Sequence, residues 1–415
     1  MNDLKEIADY CLLCKKPRCK ANCPINTPIP EVIALFKEGN FSEAGSKLFE
    51  NNPLSQICAI VCPHEEQCMG HCIRGIKGEP VAFPKIEQFL SAQYLNTLEV
   101  DQNQKKDAPR VAVVGGGPAG MTLAFKLAPK GYKVTIFEAH DRIGGVLRYG
   151  IPEYRLPNEM IDQYEEKLLQ LGVTIRPNTL IGPGITLDQL FADGYEAIFI
   201  GTGVWKPKPL GVSGESLGHV HYAIDYLKSP SVYQLGEHVC VIGAGNVAMD
   251  AARTAKRAGA KKVTVLYRKG FENMPCTRQE LKEAKEDDVA FELFKAPVAI
   301  TEEGVLYAET ENQTDESGRI VTVMKEGEPE LFECSSVIIA VSQEARSNII
   351  ATAKDLEINK WGLIIVDEKG HTTKEGVFAS GDVVTGAETV VRAASHAKQV
   401  AEEIDAYITA KRKNN

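Results

Sequence analysis

Beyond Cys72 the sequence is poor in cysteine. Only Cys240, Cys276 and Cys334 follow, each isolated, so the body of the chain has no C-x-x-C pair for disulfide exchange. Long apolar runs are also missing. No stretch reaches the roughly 18 uninterrupted apolar residues of a membrane helix. Met1 to Tyr10 is charged and has no apolar signal core, which makes a cytoplasmic protein the expectation. Positive charge is in deficit: 47 Lys and Arg stand against 56 Asp and Glu, a net charge of −9. A nucleic-acid partner gains no support from that balance, and no membrane partner is expected either. At 415 residues the chain exceeds one compact core and predicts two or three domains.

The cysteines that are present crowd together. Eight of the 11 lie between Cys11 and Cys72. Cys11, Cys14, Cys19 and Cys23 read C-x2-C-x4-C-x3-C-P, and Cys58, Cys62, Cys68 and Cys72 read C-x3-C-P-x4-C-x3-C. Without an export signal, metal or cluster ligation is the better reading than a disulfide framework. In bacterial ferredoxins three close thiolates hold one cubane, and the last cysteine, before Pro, crosses to the other cluster. By that logic Cys11, Cys14 and Cys19 hold one cluster and Cys23 holds a second. The alternative is a pair of tetrathiolate zinc sites. His64 and His71, among the cysteines, read as surface residues. Cys240 and Cys334 adjoin apolar strands and read as core packing.

A polar stretch, Glu99 to Pro109, reads as a linker. Beyond it, Arg110-Val-Ala-Val-Val114 predicts a buried parallel strand, and Gly115, Gly117 and Gly120 follow at G-x-G-x-x-G spacing. A helix is expected to run to about Pro129, then a strand, Lys133-Val-Thr-Ile-Phe137, ends at Glu138. The first glycine permits a tight turn, the second lets backbone approach a pyrophosphate, and the third lets helix pack on strand. The helix N-terminus, with Pro118 and Ala119, points free amides at the phosphates. Glu138 is placed for the ribose hydroxyls of an adenosine. The assembly predicts a dinucleotide site.

The pattern recurs. His238-Val-Cys-Val-Ile242 leads into Gly243, Gly245 and Ala248, with a helix expected from Asn246 and Val247 to about Ala258. The next strand, Lys262-Val-Thr-Val-Leu266, runs into Tyr267-Arg268-Lys269 rather than an acid. An acid would repel a 2′-phosphate; Arg268 and Lys269 would attract one, which argues for NADP over NAD. The alternative is two solvated cations. Toward the C-terminus, Gly376-Val-Phe-Ala-Ser-Gly-Asp382 predicts a short strand ending at Gly381-Asp382, with a helix from about Thr389 and Val390. An acid at a strand end beside a helix start suits the ribityl and phosphate region of a flavin. One nucleotide unit therefore opens near residue 110, closes near 382, and encloses the other.

Across nearly its whole length the chain resembles the glutamate synthase small subunit family and the N-terminal electron-input half of dihydropyrimidine dehydrogenase. The resemblance rests on the cysteine pattern, Gly78-Glu79-Pro80-Val81, Ile86-Glu87-Gln88-Phe89, Gly144-Gly145, Gly150-Ile-Pro152, Arg155-Leu-Pro157, Arg268-Lys-Gly-Phe271 and Gly381-Asp382. It departs from the usual pattern at Pro84-Lys85 and at Val341-Ser342-Gln343. Near Met274-Pro275, where relatives have a small residue, stands Cys276, a candidate for a place near the nicotinamide. The resemblance implies FAD, NADPH and two 4Fe–4S clusters. Cys72 would complete the first cluster. Cys62, Cys68 and Glu87 would join Cys23 on the second, leaving Cys58 a non-ligand. Gly145, Arg155 and Leu180 are further flavin candidates. The fold class expected is α/β: a helical iron–sulfur domain (1–108), then two Rossmann-like domains, the second (205–340) inserted into the first (109–204 and 341–415). The implied activity is an electron-input oxidoreductase. It takes hydride from NADPH and feeds a partner subunit or ferredoxin, with no protein acid or base in the main step. The alternatives are a stand-alone flavin reductase of a small molecule and a zinc-stabilised nucleotide sensor.

Overall fold

A computed structural model describes residues 1–98, 107–314, 320–346, 348–353 and 355–414. Most of the expected linker, 99–106, lies outside the described residues. The chain forms two compact units. The first joins Met1–Leu147, Glu153–Val204 and Ala345–Asn415; the second joins Arg148–Pro152 and Trp205–Glu344.

The first unit starts with helices Asn2–Tyr10, Arg18–Ala21, Ile29–Lys37, Phe41–Asn51, Ser55–Val61 and Phe83–Thr97. Their apolar faces close a small core around Ile29, Val32, Ile33, Leu48, Ile86 and Leu90. Beside them lies a parallel five-stranded sheet ordered Val377–Ala379, Ala197–Ile200, Arg110–Val114, Lys133–Phe137, Thr174–Arg176. The three strands Val377–Ala379, Ala197–Ile200 and Arg110–Val114 are almost continuous buried apolar runs, as a sheet covered on both faces requires, whereas the edge strand Thr174–Arg176 is exposed at both ends. The strand nearest the C-terminus is thus stitched beside one from the middle of the chain, the mark of an interrupted domain.

Helices and sheet are clamped together inside this unit. Phe49 meets Phe125 edge to face at 5.5 Å, Ser395 Oγ donates to Pro24 O at 3.0 Å and Lys398 Nζ to Asn51 Oδ1 at 2.9 Å. The helix after the first glycine loop is Pro118–Leu127, tightening to a 3-10 turn at Ala128–Lys130. After Gly381 a short helix, Asp382–Thr385, intervenes before the long helix Val390–Asn414.

The second unit repeats the parallel architecture, with strand order Val220–Tyr222, Ser336–Ile339, His238–Ile242, Lys262–Tyr267, Ala290–Leu293. An antiparallel group, Lys295–Thr301, Gly304–Thr314, Ile320–Met324 and Glu330–Glu333, is added between the last two strands in sequence. Cys240 and Cys334 are buried in one cluster here, as packing residues. Among the described residues no helix is long and apolar enough to cross a membrane.

Candidate functional site

The first glycine loop is held tight by backbone. Gly115 takes φ +103°, and a Cβ on it would lie 2.6 Å from Gly201 O. A Cβ on Gly120 would lie 2.0 Å from Gly115 O, so helix Pro118–Leu127, carrying Ala119, sits directly on the turn. Gly117 and Gly145 face one another; a Cβ on Gly145 would stand 2.8 Å from Gly117 Cα. That leaves bare backbone for a close ligand, the job the spacing predicted.

Glu138 is buried at the end of its strand. One carboxylate oxygen accepts the Gly116 N–H at 2.8 Å. The other accepts the His140 N–H at 2.8 Å and lies 2.7 Å from His140 Nδ1. His140 was not foreseen, although an imidazole two residues beyond the strand-end acid is a readable signal. Thr179 donates its N–H to Glu138 O at 2.7 Å, and Leu180, next in the chain, is exposed. Arg155 lies half-buried in the turn before helix Asn158–Gln170.

Around Gly381-Asp382 the polar groups are unfinished. Among the described residues, Ser380 Oγ and Thr389 Oγ1 are buried with no hydrogen-bond partner. Each such orphan costs about 1–3 kcal/mol unless something comes to meet it. Burial pushes the Asp382 carboxyl up to about 7, against a Glu388 N–H donated to Oδ1 at 3.3 Å. A flavin with a polar ribityl and phosphate tail fits residues of this kind.

The cysteines divide into two neighbourhoods. Cys11, Cys14, Cys19 and Cys72 line one pocket, with Cys68 on its wall. Backbone N–H groups of Leu13, Lys20 and Met69 donate to the sulfurs of Cys11, Cys19 and Cys68. Such bonds favour thiolate, the ligating form. Burial opposes them and pushes Cys19 up to about 11, a cost that bound metal removes. Cys23 and Cys62 occupy the other neighbourhood, packed against a cluster of Ile25, Cys58, Val391 and Ala394, the last two at the start of the long C-terminal helix. Cys68 feels the charge of both Cys23 and Glu87. Glu87, on helix Phe83–Thr97, is 6% exposed, and burial first, then Cys58, drives its carboxyl well above the usual range. Cys58 is buried, hydrogen-bonded to Cys62, and accepts from Asn52 Nδ2 at 3.2 Å. Among the described residues no three His, Cys, Asp or Glu side chains sit close enough for a single metal ion. His64 and His71 are not plain surface residues. Both are half-buried, with His64 Nε2 3.2 Å from Cys58 O and His71 Nδ1 2.7 Å from Gln67 O.

In the second unit Gly243 takes φ +123°, and a Cβ on it would lie 2.3 Å from Ala340 O. Gly245 caps helix Asn246–Arg257, which carries Val247 and the fully buried Ala248. Asn246 Oδ1 accepts the Thr277 N–H at 3.2 Å, so its side chain braces a neighbouring loop. Cys276 is buried and its N–H donates to Ala244 O, which puts it beside this glycine loop. Arg268 is exposed and Lys269 half-buried; neither forms an ion pair among the described residues. Their carbonyls are used instead, by Thr310 Oγ1 and the Phe294 N–H.

Residues 109–397 match the pyridine nucleotide-disulphide oxidoreductase family, and residues 2–98 match the family described as dihydropyrimidine dehydrogenase domain II, 4Fe-4S cluster. The glutamate synthase (NADPH) small chain of Escherichia coli is 31% identical over 427 residues, 96% of this chain and 90% of that one. The chain belongs to this family. The NAD-dependent dihydropyrimidine dehydrogenase subunit PreT of Salmonella typhimurium is 31% identical over 97% of this chain and 93% of its own. In fold, the chain is similar to Mycobacterium tuberculosis FprA in complex with NADPH, at TM-score 0.63 and 17% identity over 74% of this chain and 86% of that one. As a member of the glutamate synthase small-chain family, it is an NAD(P)H-dependent oxidoreductase. It has FAD- and NAD(P)-binding Rossmann-like halves and a 4Fe–4S domain at its N-terminus.

Proposed function

We propose that the chain is an electron-input subunit: it oxidises NADPH and delivers the electrons, through FAD and two 4Fe–4S clusters, to an electron-accepting protein. When bound, the flavin takes two electrons as hydride and the clusters carry them onward singly. The chain's own part is to hold and order these groups. The observation that carries the reading is the packing of Cys23 and Cys62 against a core cluster, Ile25, Cys58, Val391 and Ala394, that includes the start of the long C-terminal helix. That helix start follows directly on Thr389 and eight residues after Asp382, the proposed flavin contacts with Gly115, Gly117, Gly120, Glu138 and Gly145. One cysteine neighbourhood therefore adjoins the flavin signature, and the other, Cys11, Cys14, Cys19 and Cys72, opens on a separate pocket. Two neighbourhoods support two clusters, with Cys23, Cys62, Cys68 and Glu87 holding the one by the flavin. Gly243, Gly245, Asn246 and Val247 would take the coenzyme pyrophosphate and Arg268 with Lys269 its 2′-phosphate.

Metal and flavin analysis of anaerobically purified protein tests the reading. The expectation is about one FAD and about eight irons per chain, from two cubanes. Cys11→Ala and Cys23→Ala should each remove about half the iron. Glu87→Ala should damage the second cluster and Cys58→Ala neither. Zinc in place of iron defeats the proposal; iron lost in Cys58→Ala and kept in Glu87→Ala reverses the ligand assignment.

A further inference from the structure

Two loops that carry thiols of the pocket neighbourhood, Cys11–Cys14 and Cys72–Ile76, also carry bare apolar side chains. Leu12 is 51% exposed and Ile76 64%, with Leu13 and Ile73 at 39% each. Leu12 and Ile73 line the same pocket as Cys11, Cys14 and Cys72, so the two loops share one face. Leu13 takes φ +47°, a left-handed conformation that costs a branched residue about 1–2 kcal/mol. It accompanies the turn that brings the Leu13 N–H to the Cys11 sulfur. The geometry that serves the thiol is the geometry that leaves two leucines outward.

The chain flanking this face is basic in an acidic protein. Lys15, Lys16 and Arg18 follow Cys14 and are exposed, and Lys77 follows Ile76 and is exposed. Asp9 nearby is answered by Lys37 at 3.0 Å, and Glu79 is the exposed acid closest in sequence to Lys77. A small apolar patch flanked in the chain by exposed cations suits a transient, electrostatically steered electron-transfer contact, which buries less than a permanent subunit interface.

We propose that this face docks a small acidic electron-carrier protein of the ferredoxin type, which collects electrons from the cluster held by Cys11, Cys14, Cys19 and Cys72. The proposal rests on the electron-input reading. The balance is one NADPH and two oxidised carriers giving NADP+, one proton and two carriers each reduced by one electron. The apolar centre holds the encounter while the lysines orient it.

The test uses the holoprotein, NADPH and a plant-type 2Fe–2S ferredoxin, with excess cytochrome c as electron sink and the rate without ferredoxin subtracted. Ferricyanide serves as a small acceptor that needs no docking. Wild-type ferredoxin reduction should slow steeply with added salt. The variant K15E/K16E/K77E should raise the KM for ferredoxin at least about tenfold and lose the salt dependence, with iron content and ferricyanide reduction retained. Leu12→Ser with Ile76→Ser should raise KM several-fold and keep the salt dependence. An iron-replete triple variant with wild-type KM and salt response overturns the docking face alone. A native complex in which a permanently bound subunit protects Lys15 and Lys77 from acylation also overturns it. Protein that binds no iron overturns the electron-input reading instead, and iron analysis detects this first.

Discussion

The two glycine loops are the same device built twice, and they differ at two places. In the first unit the third small residue is Gly120, where a Cβ would strike Gly115 O at 2.0 Å; in the second it is Ala248, whose Cβ is buried without rearrangement. In the first the neighbouring strand ends at buried Glu138, locked by Gly116 and His140; in the second it ends at exposed Arg268. The first loop is closed by backbone approach and by a fixed anion, as suits a cofactor that stays. The second is as tight at Gly243 but ends in cations free of ion pairs among the described residues, as suits a coenzyme that comes and goes.

Exchanging the small residues should break that contrast most strongly. In Gly120→Ala the helix or the turn must give way, an overpacking cost of about 1–3 kcal/mol applied directly at the phosphate loop. The expected outcome is protein purified with little FAD. Ala248→Gly adds only the conformational cost of a helical glycine, about 1 kcal/mol. It should leave FAD content unchanged and the KM for NADPH within about threefold. Equal loss of FAD in both variants would mean that the two loops are packed alike.

The strand ends come next. An exposed cation near a phosphate contributes about 0.5–1 kcal/mol and a bidentate guanidinium more. Arg268 and Lys269 together should favour NADPH over NADH by about 30- to 150-fold in kcat/KM. The double variant R268A/K269A should lose most of this preference through a raised KM for NADPH alone. A wild-type preference for NADH, or a double variant that still prefers NADPH, removes these cations from the recognition of the 2′-phosphate.

Much of this contrast was legible in the sequence because it is local. Glycine spacing, a strand's last residue and a cysteine's neighbours are fixed by a few consecutive positions. Two adjacent strands of each parallel sheet, both glycine-loop helices and the return of the chain near Val377 to the first sheet follow from such patterns. What escaped depends on burial, on local turn geometry or on distant segments. The unpartnered hydroxyls of Ser380 and Thr389 become visible only when burial is known. Asn52 reaches the Cys58 sulfur across a turn that carries no motif. The packing of Cys23 and Cys62 on a cluster that includes Val391 and Ala394 joins residues more than 300 positions apart, and no spacing rule reports that. His140 is the intermediate case, a readable neighbour of Glu138 whose bond to the carboxylate needed the loop geometry.

A third difference between the two units predicts the smallest effect. The edge strand of the first sheet ends in Gly381-Asp382, whereas the strand at the same place in the second sheet, Val220–Tyr222, runs into Ala223 with no acid at the turn. Burial holds the Asp382 carboxyl at about 7 in the folded protein, above its ordinary 3.8. Below pH 4 folded and unfolded chains both hold the proton, and folding bears no penalty from this group. Between pH 4 and 7 the unfolded chain sheds the proton while the folded chain keeps it, so stability falls as pH rises; above 7 the loss is complete. Flavin-stripped wild type should therefore lose a few degrees of Tm across that window relative to Asp382→Asn. The difference between the two curves isolates Asp382 from the other carboxyls that titrate there. Parallel curves would show that Asp382 is ionised throughout, and the two sheet edges would then differ in sequence but not in electrostatics.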